Sequence, residues 1–349
     1  MQAVILVGGE GTRLRPLTYD IPKPMAPIMG KPYLEHLIER LKEAGITEIV
    51  LATCFKYDFI KDYFGDGERF GVKIFYEIEE EPLGTAGAVK NVEKHITGTF
   101  LAFNGDVMID IDFRKLILFH NEKGGAGTLT LTKVEDPTRY GIIETNDDKS
   151  IRKFIEKPKP EEITTNYINA GVYVLEKKVL DLMDKDVNYS FEKQIFPQIL
   201  ASDDNLYAYH NQGYWIDIGK PESYKQVHFD ILEGKFKVDL SGYNKIKDNV
   251  WIGKNVVLDN NAQLGNFIFI NDGAVIKEGA RLGHYCVIDK DCVIEEGAEI
   301  SKTILWPGVK LGRNTGLYDC IIGRFTVIED NAISLQGDII GSREIINKV

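Results

Sequence analysis

The sequence predicts two unlike architectures in one chain: an α/β domain around a mostly parallel sheet, then a parallel β-helix. Two observations carry this. In the C-terminal third, Ile252, Leu258, Leu264, Ile270, Ile276, Leu282, Ile288, Ile294 and Ile300 recur every six residues without a miss. Ahead of them, apolar β-rich runs alternate with helical patterns. A period of six is neither the 3.6 of a helix nor the 2 of a strand. It is the period of a coil of short parallel strands, with the aliphatic residue inward and a small residue at the corner. Strand–helix alternation implies a sheet covered on both faces.

The α/β elements follow in order. Ala3–Val7, Glu48–Ala52, Phe100–Phe103, Thr128–Leu131 and Gly171–Leu175 read as strands, while Pro32–Glu43 and Phe113–Asn121 carry helical patterns. Leu232–Asp248 is polar and lysine-rich and marks a boundary. We therefore expect residues 1–234 as one domain, 235–248 as a linker and 249–349 as the β-helix. Small residues, among them Ala274, Ala280, Cys286, Cys292 and Ala298, precede the later aliphatic positions by two. Cys286 and Cys292 are thereby packing residues rather than nucleophiles. The register slips near Trp306-Pro307 and resumes at Leu311, Leu317, Ile322 and Ile328. His284 follows a repeat glycine and reads as an outward-facing side chain; as the only candidate base of the β-helix, it alone could support an acyltransferase.

The chain has 349 residues, with 42 Lys plus Arg against 53 Asp plus Glu, hence a net charge of −11. That balance argues against bulk affinity for nucleic acid or anionic membrane. No apolar run approaches membrane-spanning length. Met1–Gly9 lacks a basic n-region and its apolar run breaks at Gly8, unlike a secretory leader. Four cysteines, Cys54, Cys286, Cys292 and Cys320, form no C-x-x-C pair and suit a reducing compartment, so a cytoplasmic location is expected.

The first strand runs into Gly8-Gly9-Glu10-Gly11-Thr12-Arg13-Leu14-Arg15-Pro16-Leu17-Thr18. Glycines at that place let backbone N–H groups approach an anion. Leu14 stands where a dinucleotide fingerprint needs its third glycine, and no Walker A loop occurs. Between Met1 and Lys31 the cations are Arg13, Arg15, Lys23 and Lys31 against Glu10 and Asp20, a local +2 in an acidic chain. Such a loop is either a phosphate site at the carboxyl end of a strand or a solvated charged loop. Asn104-Gly105-Asp106 ends another apolar strand, where a carboxylate reaches a phosphate-bound hard cation, or forms an ordinary turn. Asp217 lies in the aromatic stretch Gly213–Gly219, and a buried carboxylate needs a partner such as a metal.

Gly8–Thr18 with Pro22-Lys23-Pro24 resembles the signature of the sugar-1-phosphate nucleotidyltransferases, the NDP-sugar pyrophosphorylases. The resemblance continues through Pro82–Gly87, Asn104-Gly105-Asp106, Tyr140-Gly141, Glu156-Lys157-Pro158, Asn169-Ala170-Gly171 and the segment around Asp217. Its Glu79–Gly87 and Gly213–Gly219 versions are similar to those of members that transfer a guanylyl group to mannose 1-phosphate. Runner-up chemistries are thymidylyl or uridylyl transfer to glucose 1-phosphate and a non-catalytic sugar-nucleotide sensor. The resemblance implies a Rossmann-like catalytic domain and a left-handed hexapeptide β-helix, which we expect to assemble the chain into a homo-oligomer.

The implied reaction joins a nucleoside triphosphate to a sugar 1-phosphate and releases pyrophosphate. Leu6, Gly8, Gly9, Gly11, Thr12, Arg13, Glu79, Gly84 and Thr85 would hold the nucleotide. Arg13 would meet the β/γ-phosphates and Lys23 the α-phosphate. Asp106 and Asp217 would hold Mg²⁺, making Arg13, Lys23 and Asp106 the catalytic set. Lys157 would meet the sugar phosphate, and Gly141, Glu156 and Asn169 the sugar. Arg15 either contacts phosphate or braces the loop, and Lys31 reads as a helix-entry residue. Base choice turns on Glu79. Guanine presents two adjacent donors, N1–H and N2–H₂, which suit an acceptor-only carboxylate. The alternative makes Glu79 part of an exposed acidic run, Glu77 to Glu81.

Overall fold

The computed structural model describes residues 1–332 and 335–347. Contacts divide the chain into two units that are not collinear with it. One gathers Met1–Gly9 and Leu37–Trp215, the other Glu10–His36 and Ile216–Val349.

The first unit is built on a mixed sheet. Its strands are β1 (Gln2–Leu6), β2 (Glu48–Thr53), β3 (Lys73–Ile78), β4 (Phe100–Asn104), β5 (Gly127–Lys133), β6 (Gly141–Thr145), β7 (Ile151–Glu156), β8 (Tyr167–Leu175) and β9 (Leu206–His210). They run in the order β7-β6-β8-β4-β1-β2-β3, with β5 pairing β8 and β9. The β4-β1-β2-β3 portion is parallel. β8 returns antiparallel to both β4 and β5, and β6 with β7 forms an antiparallel ladder. Val4, Val50, Ala102, Leu129 and Tyr173 sit in a core shared with Ala86, Val89, Phe191 and Phe196. Strands buried on both faces explain why their sequences read as continuous apolar runs rather than alternations. Helices α2 (Tyr57–Phe64), α3 (Gly84–Asn91), α4 (Phe113–Lys123) and α5 (Phe196–Leu200) connect these strands. The Asp112 carboxylate caps α4 by accepting the Lys115 N–H.

The second unit is a parallel β-helix with two segments laid on it. Among the described residues its faces are parallel sheets of six, six and five strands, one of them extended by the antiparallel strand Asn244–Lys247. One rung pairs with the next 18 residues on, Val250 with Ile268 and Ile268 with Cys286. The hexad residues Ile270, Ile276, Leu282, Ile288, Ile294 and Ile300 fill the interior, with Ala274, Ala280, Cys286, Cys292 and Ala298 at the tighter places. Burial pushes the Cys286 thiol up to about 12, in keeping with a packing role. Leu258 and Leu264 are only partly buried because they belong to the open first coil. The repeat slips earlier than Trp306: Ile288 pairs with Leu305, 17 residues on, because the corner after Ile300 is one residue shorter. Leu305 takes the interior place and Trp306 points elsewhere. His284 is exposed, as its place after Gly283 suggested.

Helix α6 (Pro221–Leu232) lies along one corner of this coil. Phe267 and Tyr285, both in left-handed backbone conformations, stack at 4.7 Å, and Phe229 packs on Tyr285 at 4.9 Å. Lys225 pairs with Asp319 at 2.5 Å. The arm Glu10–His36 is fastened beside it. Asp20 pairs with Arg324 at 2.7 Å. The fully buried Tyr224 donates its hydroxyl to the Pro27 carbonyl and accepts the Trp306 indole N–H at 3.0 Å. His36 Nε2 meets the Ile28 carbonyl at 2.9 Å, and Lys31 pairs with Glu35 at 3.6 Å at the start of α1 (Tyr33–Glu43).

His228 is buried under this arm, and burial, reinforced by His36, pulls its pKa from 6.5 to about 3 although the Pro27 carbonyl opposes the shift. Between those pH values the unfolded chain binds a proton that the folded chain refuses, so folding weakens as pH falls. Compared with His228→Gln, the natural protein should lose an additional ~1.4 kcal/mol of unfolding free energy per pH unit below 6.5. Denaturant titrations at several pH values measure this; equal slopes would contradict it.

Candidate functional site

In the first unit, candidate residues collect at the carboxyl ends of β1, β2, β3 and β4. Leu6 ends β1 and its carbonyl accepts the Gly105 N–H at 3.0 Å. A Cβ on Gly105 would lie 2.0 Å from that carbonyl, so only glycine lets the chain pass β1 this closely just before Asp106. Gly8 follows, its α-carbon facing Cys54 and the Glu79 carboxylate, while Gly9 faces open space.

Glu79 is buried, unlike Glu80 and Glu81. Glu77 is bound instead to Lys94 at 2.8 Å. The exposed-run alternative therefore fails for Glu79. One carboxylate oxygen accepts the Leu83 N–H at 3.0 Å, and the other lies nearest Gly8. Burial raises its pKa, with the Leu83 N–H opposing. Gly84 has φ +72 and turns tightly against the Tyr189 carbonyl. Thr85 opens α3, and its hydroxyl is fully engaged within the protein, donating to Glu192 and accepting the Phe191 N–H.

The sugar-side candidates sit on the antiparallel strands. Gly141 and Glu156 are cross-strand partners of β6 and β7, and a Cβ at Gly141 would come 2.8 Å from the Glu156 carboxylate. Burial, then the Glu192 charge, raises the Glu156 pKa. Lys157 follows with φ 50, its N–H on the Tyr140 carbonyl at 3.1 Å. The register against β5 breaks between Asn169 and Tyr173. Asn169-Ala170-Gly171 is thus a bulge, a device that re-aims side chains. Asn169 Oδ1 accepts the Gly171 N–H at 3.1 Å, and Nδ2 donates to the Tyr173 hydroxyl at 2.7 Å. A side chain on Gly171 would strike Asn104, whose buried Oδ1 has no partner in the protein.

In the second unit, the arm carries the cations. Gly11 has φ +65 and touches Lys23, where a Cβ would lie 2.8 Å from that of the lysine. Gly11 and Thr12 lead the short turn Thr12–Leu14, and the Thr18 hydroxyl donates to the Gly11 carbonyl at 2.9 Å. Lys23 is 6% exposed. Arg13 lies 3.6 Å from the Asp217 carboxylate, and Asp217 also accepts the Gly219 N–H at 2.7 Å. Arg15 pairs with Glu10 at 2.7 Å and covers the Tyr19 ring.

Among the described residues no cluster of three or more His, Cys, Asp or Glu side chains could hold a metal alone. Mg²⁺ is commonly held by one or two carboxylates completed by substrate phosphates. Asp106, in the first unit, and Asp217, in the second, are carboxylates of the type that such a metal takes, and the buried Asn104 Oδ1 of the first unit has no partner in the protein. Sequence reasoning missed Tyr173, Ser190 and Glu192. Glu192 carries no signal in the string, where it is one more charge in Ser190–Gln194.

Comparison with known proteins gives the family. Residues 2–234 match the nucleotidyl transferase family, and residues 264–348 match the GMPPB C-terminal domain. Mannose-1-phosphate guanylyltransferase of Mycobacterium tuberculosis is 41% identical over 67% of this chain and 65% of its own length, so the chain spans just under two thirds of it. A probable mannose-1-phosphate guanylyltransferase 1 of Oryza sativa subsp. japonica is 39% identical over 76% of this chain and 75% of its own. HddC from Yersinia pseudotuberculosis, solved in complex with GMP-PN, is 36% identical, with TM-score 0.56 over 64% of this chain and 96% of its own. The chain belongs to the nucleotidyl transferase family, with a sequence similar to mannose-1-phosphate guanylyltransferases.

Proposed function

We propose that the chain makes GDP-mannose and pyrophosphate from GTP and mannose 1-phosphate. The observation that carries the guanine choice is the burial of Glu79 against Gly8 with one acceptor oxygen left over. Relatives named for that reaction, and a relative solved with GMP-PN, support it. The second pKa of a sugar phosphate is about 6, so at neutral pH the nucleophile is already ionised and needs no general base. One of its oxygens bonds the α-phosphorus in line as the α–β P–O bond breaks, and the electron pair leaves with pyrophosphate. The work left to the protein is positioning and charge compensation. Gly8, Gly9 and Gly11 offer backbone N–H groups, Arg13 meets the leaving phosphates, and Lys23 meets the α-phosphate. Lys157 holds the sugar phosphate, while Gly141, Glu156 and Asn169 read its hydroxyls. Asp106 and Asp217 would hold Mg²⁺, which would supply Lewis-acid neutralisation of phosphate charge. Arg13 and Asp217 lie 3.6 Å apart and compensate each other's charge.

We further propose a catalytic domain over 1–234, a linker over 235–248 and a β-helix over 249–349 that assembles a homo-oligomer. Among the described residues, Leu335–Gln336, Ile339–Ile340 and Ile345–Ile346 are the last strands of the three sheets, and a strand at a sheet's edge is a template for pairing. Light scattering should give more than one chain per particle; a clean monomer would contradict this. The four cysteines are free, three of them buried, which fits a reducing cytoplasm.

A pyrophosphate-release panel of GTP, UTP and dTTP with mannose and glucose 1-phosphates tests the main reading. Turnover should be fastest with GTP and mannose 1-phosphate; turnover confined to UTP or dTTP with glucose 1-phosphate would overturn it. Glu79→Gln should lower the preference for GTP in kcat/KM by about 10- to 100-fold, the scale of one charged hydrogen-bonding group. Asp106→Asn should lower kcat by at least about 1,000-fold with an unchanged melting temperature. Surviving activity would remove Asp106 from the metal site.

A further inference from the structure

We propose that Glu192 is a positioning residue that ties the nucleotide-side turn at Thr85 to the sugar-side bulge at Asn169. One carboxylate oxygen accepts the Thr85 hydroxyl at 2.9 Å and the Ser190 hydroxyl at 2.7 Å. The other accepts the Tyr173 hydroxyl at 3.3 Å. Each hydroxyl has one proton, and all three are directed at this carboxylate.

The direction matters because each hydroxyl then accepts from a fixed partner. Thr85 takes the Phe191 N–H at 2.9 Å, and Ser190 takes the Lys193 N–H at 3.2 Å. Tyr173 takes the Asn169 amide N–H at 2.7 Å. Tyr173 is fully buried, and burial with the Glu192 charge holds its hydroxyl protonated. With Nδ2 committed to Tyr173 and Oδ1 accepting the Gly171 N–H, Asn169 has one defined face and one N–H left for a ligand. On the nucleotide side, the Tyr189 carbonyl takes the Ala86 and Gly87 N–H groups at 2.9 and 3.2 Å, so the same segment clamps the first turn of α3.

An acceptor-only group is required at this place. A Gln amide would present two donors to hydroxyls already oriented to donate. Its NH₂ would face Tyr173, whose oxygen would then receive two donors while its own proton lost its partner. The amide of Asn169 would have to turn over to accept that proton, reversing what it offers a sugar hydroxyl.

The inference rests on the proposed reading of Thr85 as nucleotide-side and Asn169 as sugar-side. The test is steady-state kinetics on the full chain, with calorimetric titration of GTP and mannose 1-phosphate separately, for natural protein, Glu192→Gln and Tyr173→Phe. Failure of the natural protein to bind either substrate would refute the functional reading itself. If it binds both, Tyr173→Phe should raise the KM and Kd for mannose 1-phosphate about 10-fold with the GTP values within about two-fold, the scale of one hydrogen bond. Glu192→Gln should raise both KM values and lower kcat about 10-fold. Unchanged substrate constants in Tyr173→Phe, with or without a lower melting temperature, would overturn the proposal, whether or not Glu192→Gln folds.

Discussion

The hydroxyl of Tyr224 is the joint on which the arm depends. It donates to the Pro27 carbonyl and accepts from the Trp306 indole, and Tyr224 and Trp306 are almost completely buried, so bulk water does not reach either to replace a lost partner. A buried polar group left unpaired costs about 1–3 kcal/mol, more than a typical hydrogen bond contributes when made. That asymmetry pins Glu10–His36 to the β-helix, with Asp20–Arg324 as a second fastening. The arm carries Gly11, Arg13 and Lys23, so the repeat domain holds the cations that the proposed chemistry needs.

In the sheet unit the governing constraint is close backbone approach. Gly105 admits the Leu6 carbonyl, Gly141 admits the Glu156 carboxylate and Gly171 admits Asn104. Each glycine is placed where two strands deliver polar groups to one rim. The same crowding desolvates Glu79 and Glu156, raising both carboxyl pKa values.

Much of this was legible in the string because local chemistry writes it there. The hexad repeat is visible since every inward position must be aliphatic, and the loop at Gly8–Thr18 since Gly11 needs a left-handed backbone and room beside Lys23. Glu79 could be singled out by type, but only the fold separates it from exposed Glu80 and Glu81. The slip after Ile300 was placed too late because Leu305-Trp306 offers two apolar residues for one interior place. The fastening of Asp20 to Arg324 spans 304 residues and leaves no local trace. Glu192 was invisible for a similar reason: its value lies in three hydroxyls brought from Thr85, Tyr173 and Ser190, two of them distant in sequence.

Amide hydrogen exchange of the natural protein and Tyr224→Phe tests the joint most directly. The ring is kept, but the Pro27 carbonyl and the Trp306 N–H lose their partner. Exchange across Glu10–His36 should accelerate about 10- to 100-fold while β1, β2 and β4 keep their rates, because opening is local to the released segment. Unchanged exchange in the arm, or an equal rise throughout both units, would contradict the account.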